Sequence, residues 1–515
     1  MGIGKVWLLG AGPGDTGLFT IKGRQVLEEA DVVIYDRLVG QGILAMAPKN
    51  ARFIDAGKCA GNHTLPQEKI NRILVEEARK GNKVVRLKGG DPFLFGRGGE
   101  ELELLVKNHI PYEVVPGVTS SIAVPAYNGI PVTHRDFCSS LHIITGHKKA
   151  GQTYHIDFEA LVRTEGTLVF LMGVSSLNDI CKGLIEAGMN PMMPAAILQK
   201  GTTAGQRRIV ATVSTLYQEI LKQGIQTPAI IIVGQVCQLA DEFAWYEALP
   251  LAGYKVLVTR PKDLISSMAE KLRQNGAEVI ELPSIFTERI EKNQKLKNAF
   301  EHIHEYQWLV LTSPTGANVF FQELKEAELD IRKLHHLKIA VIGSGTQKVL
   351  EEKGLFADLI PEVFDGVSLG NQLAKNCQSG EKVMLPRASL GGKELVEELE
   401  KANIIVDDIA TYVTKYQTQD FYQSAVKFDE GEIDCVVFTS ASTVRGFVNS
   451  VEGIDFSKVK AACIGKQTKA QADSYGMETY VAKEASIDSL IELVIQLKNI
   501  RKDSGGSQYG DVKKT

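Results

Sequence analysis

Short apolar runs recur along the chain. Each is closed by a Gly, Ser, Thr or Asp turn and followed by a longer mixed segment. KVWLLGAG (5–12), ADVVIYD (30–36), KVVRLKGGD (83–91), LHIITG (141–146), TLVFLMG (167–173) and AIIIVG (229–234) are the clearest in the first half. Runs that are apolar on both faces, with helical periodicity between them, predict an α/β fold on largely parallel sheets. At QLADEFAWYEALPLAG (238–253) a helix tail meets Pro250 and Gly253 before a new strand, KVLVTRP, begins. The chain thus divides into units of about 1–245 and 253–500, with 246–252 as a linker. A strand restart at YEVVPGVTSS (112–121) divides the first unit into lobes of about 1–112 and 113–240.

The second unit echoes itself. WLVLTSPTGANVFF (308–321) matches CVVFTSASTVRGFV (435–448), and AVIGSGTQKVLEEKG (340–354) matches ACIGKQTKAQADSYG (462–476). A period this long describes two similar α/β lobes rather than a solenoid. The polar, Gly/Ser-rich RKDSGGSQYGDVKKT (501–515) is expected to be a disordered tail.

Composition narrows the partners. The 515 residues are 44% hydrophobic and 23% charged, which is apolar material for several cores. Lys and Arg total 58 against 62 Asp and Glu, a net charge of −4. That balance excludes a general nucleic-acid surface; an anionic small molecule would need a local cradle. The seven cysteines are scattered and form no CxxC. This excludes a disulfide framework and a zinc knuckle, and fits a reducing cytosol. The opening MGIGKVWLLGAG enters a strand without a leader's pattern, and Val6 breaks the myristoylation motif. No apolar run approaches the ~20 residues that span a bilayer. A cytoplasmic protein without membrane or nucleic-acid partners is expected.

The chemistry concentrates at strand ends. In GAGPGD (10–15), glycines let backbone approach a ligand and a helix start offers free N–H groups. A dinucleotide fingerprint needs glycine where Asp15 stands, and Pro13 removes a donor, which disfavours a nicotinamide oxidoreductase. A ligand against the loop and a plain tight turn both fit. In RLKGGDPFLFGRGGEE (86–101), Gly89 and Gly90 permit close contact, and Asp91 either meets a ligand or caps the next helix. Thr119 and Ser120 stand at a helix start, where capping competes with ligand binding. Asp36, at a strand's carboxyl end, either faces a ligand or pairs with Arg37. His302, His304, His335 and His336 fall in charged stretches and do not form a metal site.

Taken in order, VWLLGAGPGD, ADVVIYDRLV, GKCAGNH, RLKGGDPFLFGRGGEE, VPGVTSS, IPVTHRDFCSSLHIITGH, FLMGV, ILQKGTT and TPAIIIVG resemble the uroporphyrinogen-III C-methyltransferases. These belong to the tetrapyrrole methylase family, and the resemblance covers about 1–240. It implies two α/β lobes with S-adenosylmethionine as methyl donor between them, and no metal. Pro13, Gly89, Gly90, Asp91 and Leu94 are implied at that site. Thr119, Ser120, Met172, Gly201 and Ala229 complete it. Asp36 is implied as proton acceptor and Lys58 as proton donor, although Lys58 and Arg37 could instead simply bind substrate carboxylates. Cys59 reads as a small neutral loop residue. The implied reaction is double methylation of uroporphyrinogen III to precorrin-2, by a homodimer formed through this half. The rival is another methylase of the family, acting on a later corrinoid or a protein side chain.

After 253 the notable features are hydroxyl-bearing strand ends: Thr312 and Ser313, Ser344, Thr439 and Ser440, and Ser442. Each is by default an N-cap. Together they make a cleft of N–H and hydroxyl donors that suits an anion. VLVTRP (256–261), LPSI (282–285), WLVLTSPTGA (308–317), AVIGSGT (340–346), VMLPRA (383–388), IIVDDIATYVT (404–414) and VVFTSAS (436–442) resemble uroporphyrinogen-III synthase over about 253–498. That implies two lobes, one discontinuous, and cofactor-free closure of hydroxymethylbilane with inversion of the last ring. Tyr412 is implied in loss of the hydroxyl, or is structural only. The small-molecule tetrapyrroles carry eight carboxylates, to be met near Arg37, Lys58 and Arg97 and near Arg260 and the Thr-Ser loops. The rival for this half is a non-catalytic binding module.

Overall fold

The computed structural model describes residues 2–48, 50–57, 65–146, 156–259, 262–282, 284–416, 433–451 and 453–504. Lys58, Cys59 and Arg260 lie outside them. The described strands form four five-stranded sheets, two in each half, and the fold is α/β.

The first sheet contains β1 (Lys5–Gly10), β2 (Val32–Tyr35), β3 (Arg52–Asp55), β4 (Lys83–Lys88) and β5 (Tyr112–Val115). They lie in the order β3-β2-β4-β1-β5, all parallel. Leu8, Leu9, Ile34, Val84 and Leu87 are wholly buried, as strands covered on both faces require. The neighbours β1 and β4 send the chain in opposite directions, β1 towards β2 and β4 towards β5. This is the switch point where a parallel sheet opens a crevice beyond its carboxyl ends. GAGPGD follows β1 and GGDP follows β4. The lobe boundary expected near 112 is corrected, because β5 pairs with β1 from Val6↔Tyr112 to Leu9↔Val115. The helix Gly98–Lys107 returns the chain to its parent sheet, so the apparent restart is one more crossover.

The second sheet contains β6 (Leu141–Thr145), β7 (Thr167–Leu171), β8 (Pro194–Gln199), β9 (Arg207–Thr212) and β10 (Ala229–Val233), in the order β6-β7-β10-β8-β9. Only β6 and β7 run parallel; β10 opposes β7 and β8, and β9 opposes β8. The expectation of largely parallel sheets is corrected here. A run buried on both faces reads alike in either direction. The short connection 200–206 leaves no room for a crossover and makes β8 and β9 a hairpin.

The second half alternates between its two sheets. β11 (Lys255–Val258) and β12 (Glu278–Glu281) join β18 (Cys435–Phe438), β19 (Lys460–Cys463) and β20 (Glu478–Val481) in a parallel sheet, β12-β11-β18-β19-β20. The fourth sheet is built between them in sequence: β13 (Ile285–Arg289), β14 (Trp308–Leu311), β15 (Lys338–Val341), β16 (Lys382–Ala388) and β17 (Ile405–Tyr416). Its order is β13-β17-β16-β14-β15, with β13 alone antiparallel. The last helix, Ile487–Ser504, continues four residues into the segment expected to be disordered. Residues 505–515 lie outside the described residues.

The joint between the halves is packed. Trp245 and Tyr246 lie against Tyr127, with ring centroids 5.1 and 4.9 Å away. Trp245 Nε1 donates to Ala126 O (2.8 Å), and the Tyr246 hydroxyl donates to Gly276 O (3.2 Å). Across the joint, Ala204 N donates to the Glu278 carboxylate at 2.8 Å. Ala45 packs on the cluster containing Leu257, Ile280 and Phe438. Among the described residues no helix is long and apolar enough to cross a membrane.

The edge strand β5 is held by one carboxylate. Glu113 pairs with Lys22, and accepts from Lys5 Nζ (2.7 Å) and Trp7 Nε1 (3.1 Å). Hydrogen bonds from Lys22 and Lys5 hold its carboxyl at about 2, below the usual range. The folded value is depressed, so the clamp stabilises above the ordinary carboxylate range and is lost as pH falls through about 2. Thermal melts of the native chain and Glu113→Gln should therefore differ most near neutrality and converge towards that acid limit. A gap that is the same at every pH would overturn the clamp.

Candidate active site

Three loops of the first sheet meet backbone to backbone. Gly12 N donates to Gly90 O (3.1 Å) and Gly90 N to Gly12 O (2.8 Å). A Cβ on Gly10 would lie 2.5 Å from Gly117 N, and one on Gly117 would lie 2.2 Å from Gly90 O. No side chain fits at either place. Gly90 also has φ +66°, a conformation that glycine takes without strain. Asp91 ties the loops together. Its Oδ1 accepts from Phe93 N (2.8 Å) and Leu94 N (3.1 Å), and its Oδ2 from Gly117 N (3.0 Å). Asp91 does not cap the next helix, Gly98–Lys107, whose N-cap is Arg97. Thr119 caps the helix Ser120–Tyr127, accepting from Ser121 N at 3.3 Å.

The second lobe closes over this point. A Cβ on Gly14 would meet Thr203 Cγ2 at 2.9 Å, and one on Gly201 would meet Val124 Cγ1 at 2.3 Å. Asp15 N donates to Thr202 Oγ1 (3.2 Å), and the Tyr127 hydroxyl donates to Asp15 Oδ2 (2.7 Å). Leu94 packs on the cluster of Leu171, Leu198 and Ile230. Met172 follows β7, half exposed, with φ +56°, a sparsely populated region for methionine. Ala229 begins β10 opposite Gln199, the last residue of β8. Because β10 is antiparallel, its first residue shares an edge with the ends of β7 and β8. Pro13, Gly89, Gly90, Asp91, Leu94, Thr119, Ser120 and Gly201 thus lie on the loops and helix start that meet between the two lobes. Met172 and Ala229 share Gly201's edge of the second sheet.

Asp36 follows β2 at the same carboxyl edge and is one-third exposed. Its partner is not Arg37 but Arg86, whose Nη2 lies 2.5 Å from Asp36 Oδ1. Arg86 is 2% exposed in the middle of β4, and its Nε donates to Glu101 Oε1 at 3.0 Å. Lys88 Nζ donates to the same oxygen (2.9 Å) and lies 3.9 Å from Asp36 Oδ2. Arg86, Lys88 and Glu101 were not among the sequence candidates. The signal was a pair of alternating cations, KVVRLK, in a strand otherwise apolar on both faces. Arg37 is exposed and forms no ion pair among the described residues. Arg97 forks onto Glu100 at 2.8 and 2.6 Å.

In the second half, β14 and β18 end alike. Ser313 accepts from Gly316 N (2.9 Å). Ser440 accepts from Thr443 N (3.3 Å), and its own N–H donates to Thr443 Oγ1 (3.2 Å), a capping box. Their capping is the default role expected of them. Thr312 and Thr439 precede these caps. Ser440 and Ser442 share a hydrogen bond of 2.8 Å, and Ser344 opens the helix Ser344–Glu351, exposed. The Tyr412 hydroxyl lies 3.0 Å from Ser313 Oγ. Its side chain is nearly buried, which raises its pKa, and the Ser313 bond opposes that rise. A bulge delivers it: the β16–β17 register slips at Arg387/Ala388, so Ala388 pairs with Tyr412.

Residues 5–217 match the family model for Tetrapyrrole (Corrin/Porphyrin) Methylases, and residues 266–492 match that for Uroporphyrinogen-III synthase HemD. The Porphyrin biosynthesis protein HemD of Ruminiclostridium josui is 49% identical over 506 residues, 98% of this chain and 99% of its own. The chain belongs to both families, one in each half. The Uroporphyrinogen-III C-methyltransferase of Bacillus subtilis is 41% identical to it, over 73% of this chain and 78% of the relative. A solved uroporphyrin-III C-methyl transferase of Thermus thermophilus, complexed with S-adenyl homocysteine, is 38% identical. It covers 46% of this chain and 100% of its own, with a TM-score of 0.40.

The glycine contact in the methylase half makes a direct prediction. Gly117→Val should force the loops apart at a cost of about 1–3 kcal/mol or more. It should lower the thermal transition of the methylase half and leave that of the synthase half in place. An unmoved transition would show that the loops are not in contact.

Proposed function

We propose that the methylase half transfers two methyl groups to uroporphyrinogen III, giving precorrin-2. The synthase half makes that uroporphyrinogen III from hydroxymethylbilane, inverting the last ring. The observation that carries the reading is the meeting of the three glycine loops at the carboxyl edge of the first sheet with the 200–206 loop of the second lobe, in a chain of these two families. Residues 1–245 and 253–500 are the working units, joined at 246–252. The chain works in the cytoplasm as a homodimer formed through the methylase half.

S-adenosylmethionine, when bound, supplies a methyl group activated by its sulfonium. Backbone of the three glycine loops lets a ligand lie close, and Pro13, Leu94, Thr119, Ser120, Met172, Gly201 and Ala229 line its surroundings. Asp91 contributes by ordering the N–H groups of Phe93, Leu94 and Gly117. The chain's main contribution is alignment. Asp36 stabilises positive charge on the macrocycle and accepts the proton it loses. Lys58 is the proton donor. Arg37 meets a substrate carboxylate, as does Arg97 once it releases Glu100.

In the synthase half, the helix starts behind Thr312, Ser313, Ser344, Thr439, Ser440 and Ser442 offer N–H groups to the carboxylates of the bilane, with Arg260. Tyr412, bonded to Ser313, assists departure of the hydroxyl. This half needs no cofactor.

Hydroxymethylbilane and S-adenosylmethionine supplied together to the purified chain should yield a product two methyl groups heavier than uroporphyrinogen III. Formation of the type I isomer alone would overturn the synthase assignment, and an unmethylated type III product would overturn the methylase assignment. In calorimetry, Asp91→Ala should abolish binding of S-adenosylmethionine, because three N–H groups lose their common acceptor. Native affinity in that variant would rule out this pocket.

A further inference from the structure

Four charged side chains form a closed set beneath the methylase crevice. Arg86 and Lys88, two residues apart, share one face of β4. Arg86 spends its donors on Asp36 Oδ1 (2.5 Å), Glu101 Oε1 (3.0 Å) and the carbonyls of Ile34 and Leu87 (both 3.3 Å). Glu101, wholly buried in the helix Gly98–Lys107, also takes Lys88 Nζ (2.9 Å) and Gln67 Nε2 (3.0 Å) on the same oxygen. Its Oε2 finds no donor among the described residues. Two cations and two anions cancel. Three of the four side chains are at most 4% exposed, and Asp36 alone reaches the crevice edge.

A buried set of this kind is a poor device for stability. Desolvation consumes most of its Coulombic gain, and apolar residues of the same volume would hold the strand as well. Its geometry points to Asp36. We propose that Arg86 is a positioning residue for methyl transfer. Locked by Glu101, it presents Asp36 to the macrocycle as an oriented anion. The inference rests on the reading of Asp36 as proton acceptor and deepens it. A fixed buried cation bonded to one of its oxygens keeps the Asp36 carboxylate aimed outward while a polycarboxylate is bound. Arg86 can serve at every working pH: burial alone would lower its pKa, but the charges of Asp36 and Glu101 raise it. Lys88 is the softer cation, lowered by burial and by Arg86. Among the described residues, Arg37, next in the chain, and Tyr35 and Asp55, at the ends of β2 and β3, are further charged and titratable groups on this side of the sheet.

The test is the pH profile of kcat/KM for methyl transfer by the full chain, with calorimetry of S-adenosylmethionine alongside. Arg86→Gln removes the cation. The acidic limb should rise by ~1 pH unit or more and kcat should fall roughly 10-fold, with donor affinity unchanged. Glu101→Gln removes an anion, and the limb should move the other way, to lower pH. Packing damage does not produce shifts of opposite sign. Limbs that stay put in both variants, or that move together, overturn the proposal. If Arg86→Gln does not fold, the limb of Glu101→Gln decides alone. Asp36→Asn separates the two levels of the reading. Full activity in that variant sinks the acceptor role itself. A crippled Asp36→Asn with an unmoved limb in Arg86→Gln sinks only the positioning role.

Discussion

The methylase half is organised by the contact of Gly10 and Gly90 with Gly117. Three strand ends, from β1, β4 and β5, come so close that a single methyl group on Gly117 would overlap the Gly90 carbonyl at 2.2 Å. Interior packing tolerates no such overlap, so the chain either keeps glycine there or separates the loops. The contact exists because β1 lies between β4 and β5 in a parallel sheet, so all three strands end on one edge. Asp91 then converts proximity into order, since its two oxygens collect N–H groups from both sides of the gap. The loop from the second lobe is fitted on top by the same rule, with Gly14 under Thr203 and Gly201 against Val124. The crevice is therefore walled by backbone, and the side chains that carry charge stand around it.

The two halves handle negative charge differently. In the methylase half, charge is concentrated and compensated: Asp36, Arg86, Lys88 and Glu101 sum to zero inside the protein. In the synthase half, the strand ends carry capped helix starts instead. Ser313 and Ser440 leave their strands in extended backbone and cap the helices that start at the strand ends. Gly343 and Gly465 stand at the matching extended N-caps of the helices that follow β15 and β19. Neither arrangement needs a net positive chain, which is consistent with a net charge of −4.

Much of this was legible in the residues. The strands of the first, third and fourth sheets, the Gly-rich loops and the repeat of the hydroxyl caps all carry local chemistry that fixes their conformation. What was not legible depends on partners distant in sequence. The run 229–233 is apolar in either direction, and only the short 200–206 turn makes its sheet antiparallel. The segment 112–115 looked like a new lobe because nothing local says that it pairs back with 6–9. For Asp36 the residues offered a ligand-facing role or a pair with its neighbour Arg37, whereas the bond goes to Arg86, 50 residues away. Arg86 itself was hidden by its setting, since a charged residue in an apolar strand reads as an interruption until its counter-charges are placed.

The choice of arginine at 86 follows from the number of groups to be served. Four acceptors surround it in different directions: two carboxylates and two strand carbonyls. A guanidinium reaches all of them from one rigid plane. A lysine offers three donors from a single point and is more readily discharged when buried. The lysine of the pair, Lys88, occupies the simpler place, with one close acceptor on Glu101 and a second carboxylate at 3.9 Å. Exchanging the two would remove the guanidinium's contacts to the strand carbonyls and put the softer cation against Asp36. The order Arg-Leu-Lys in β4 is therefore set by hydrogen-bond count and by which cation must hold its charge, not by charge alone.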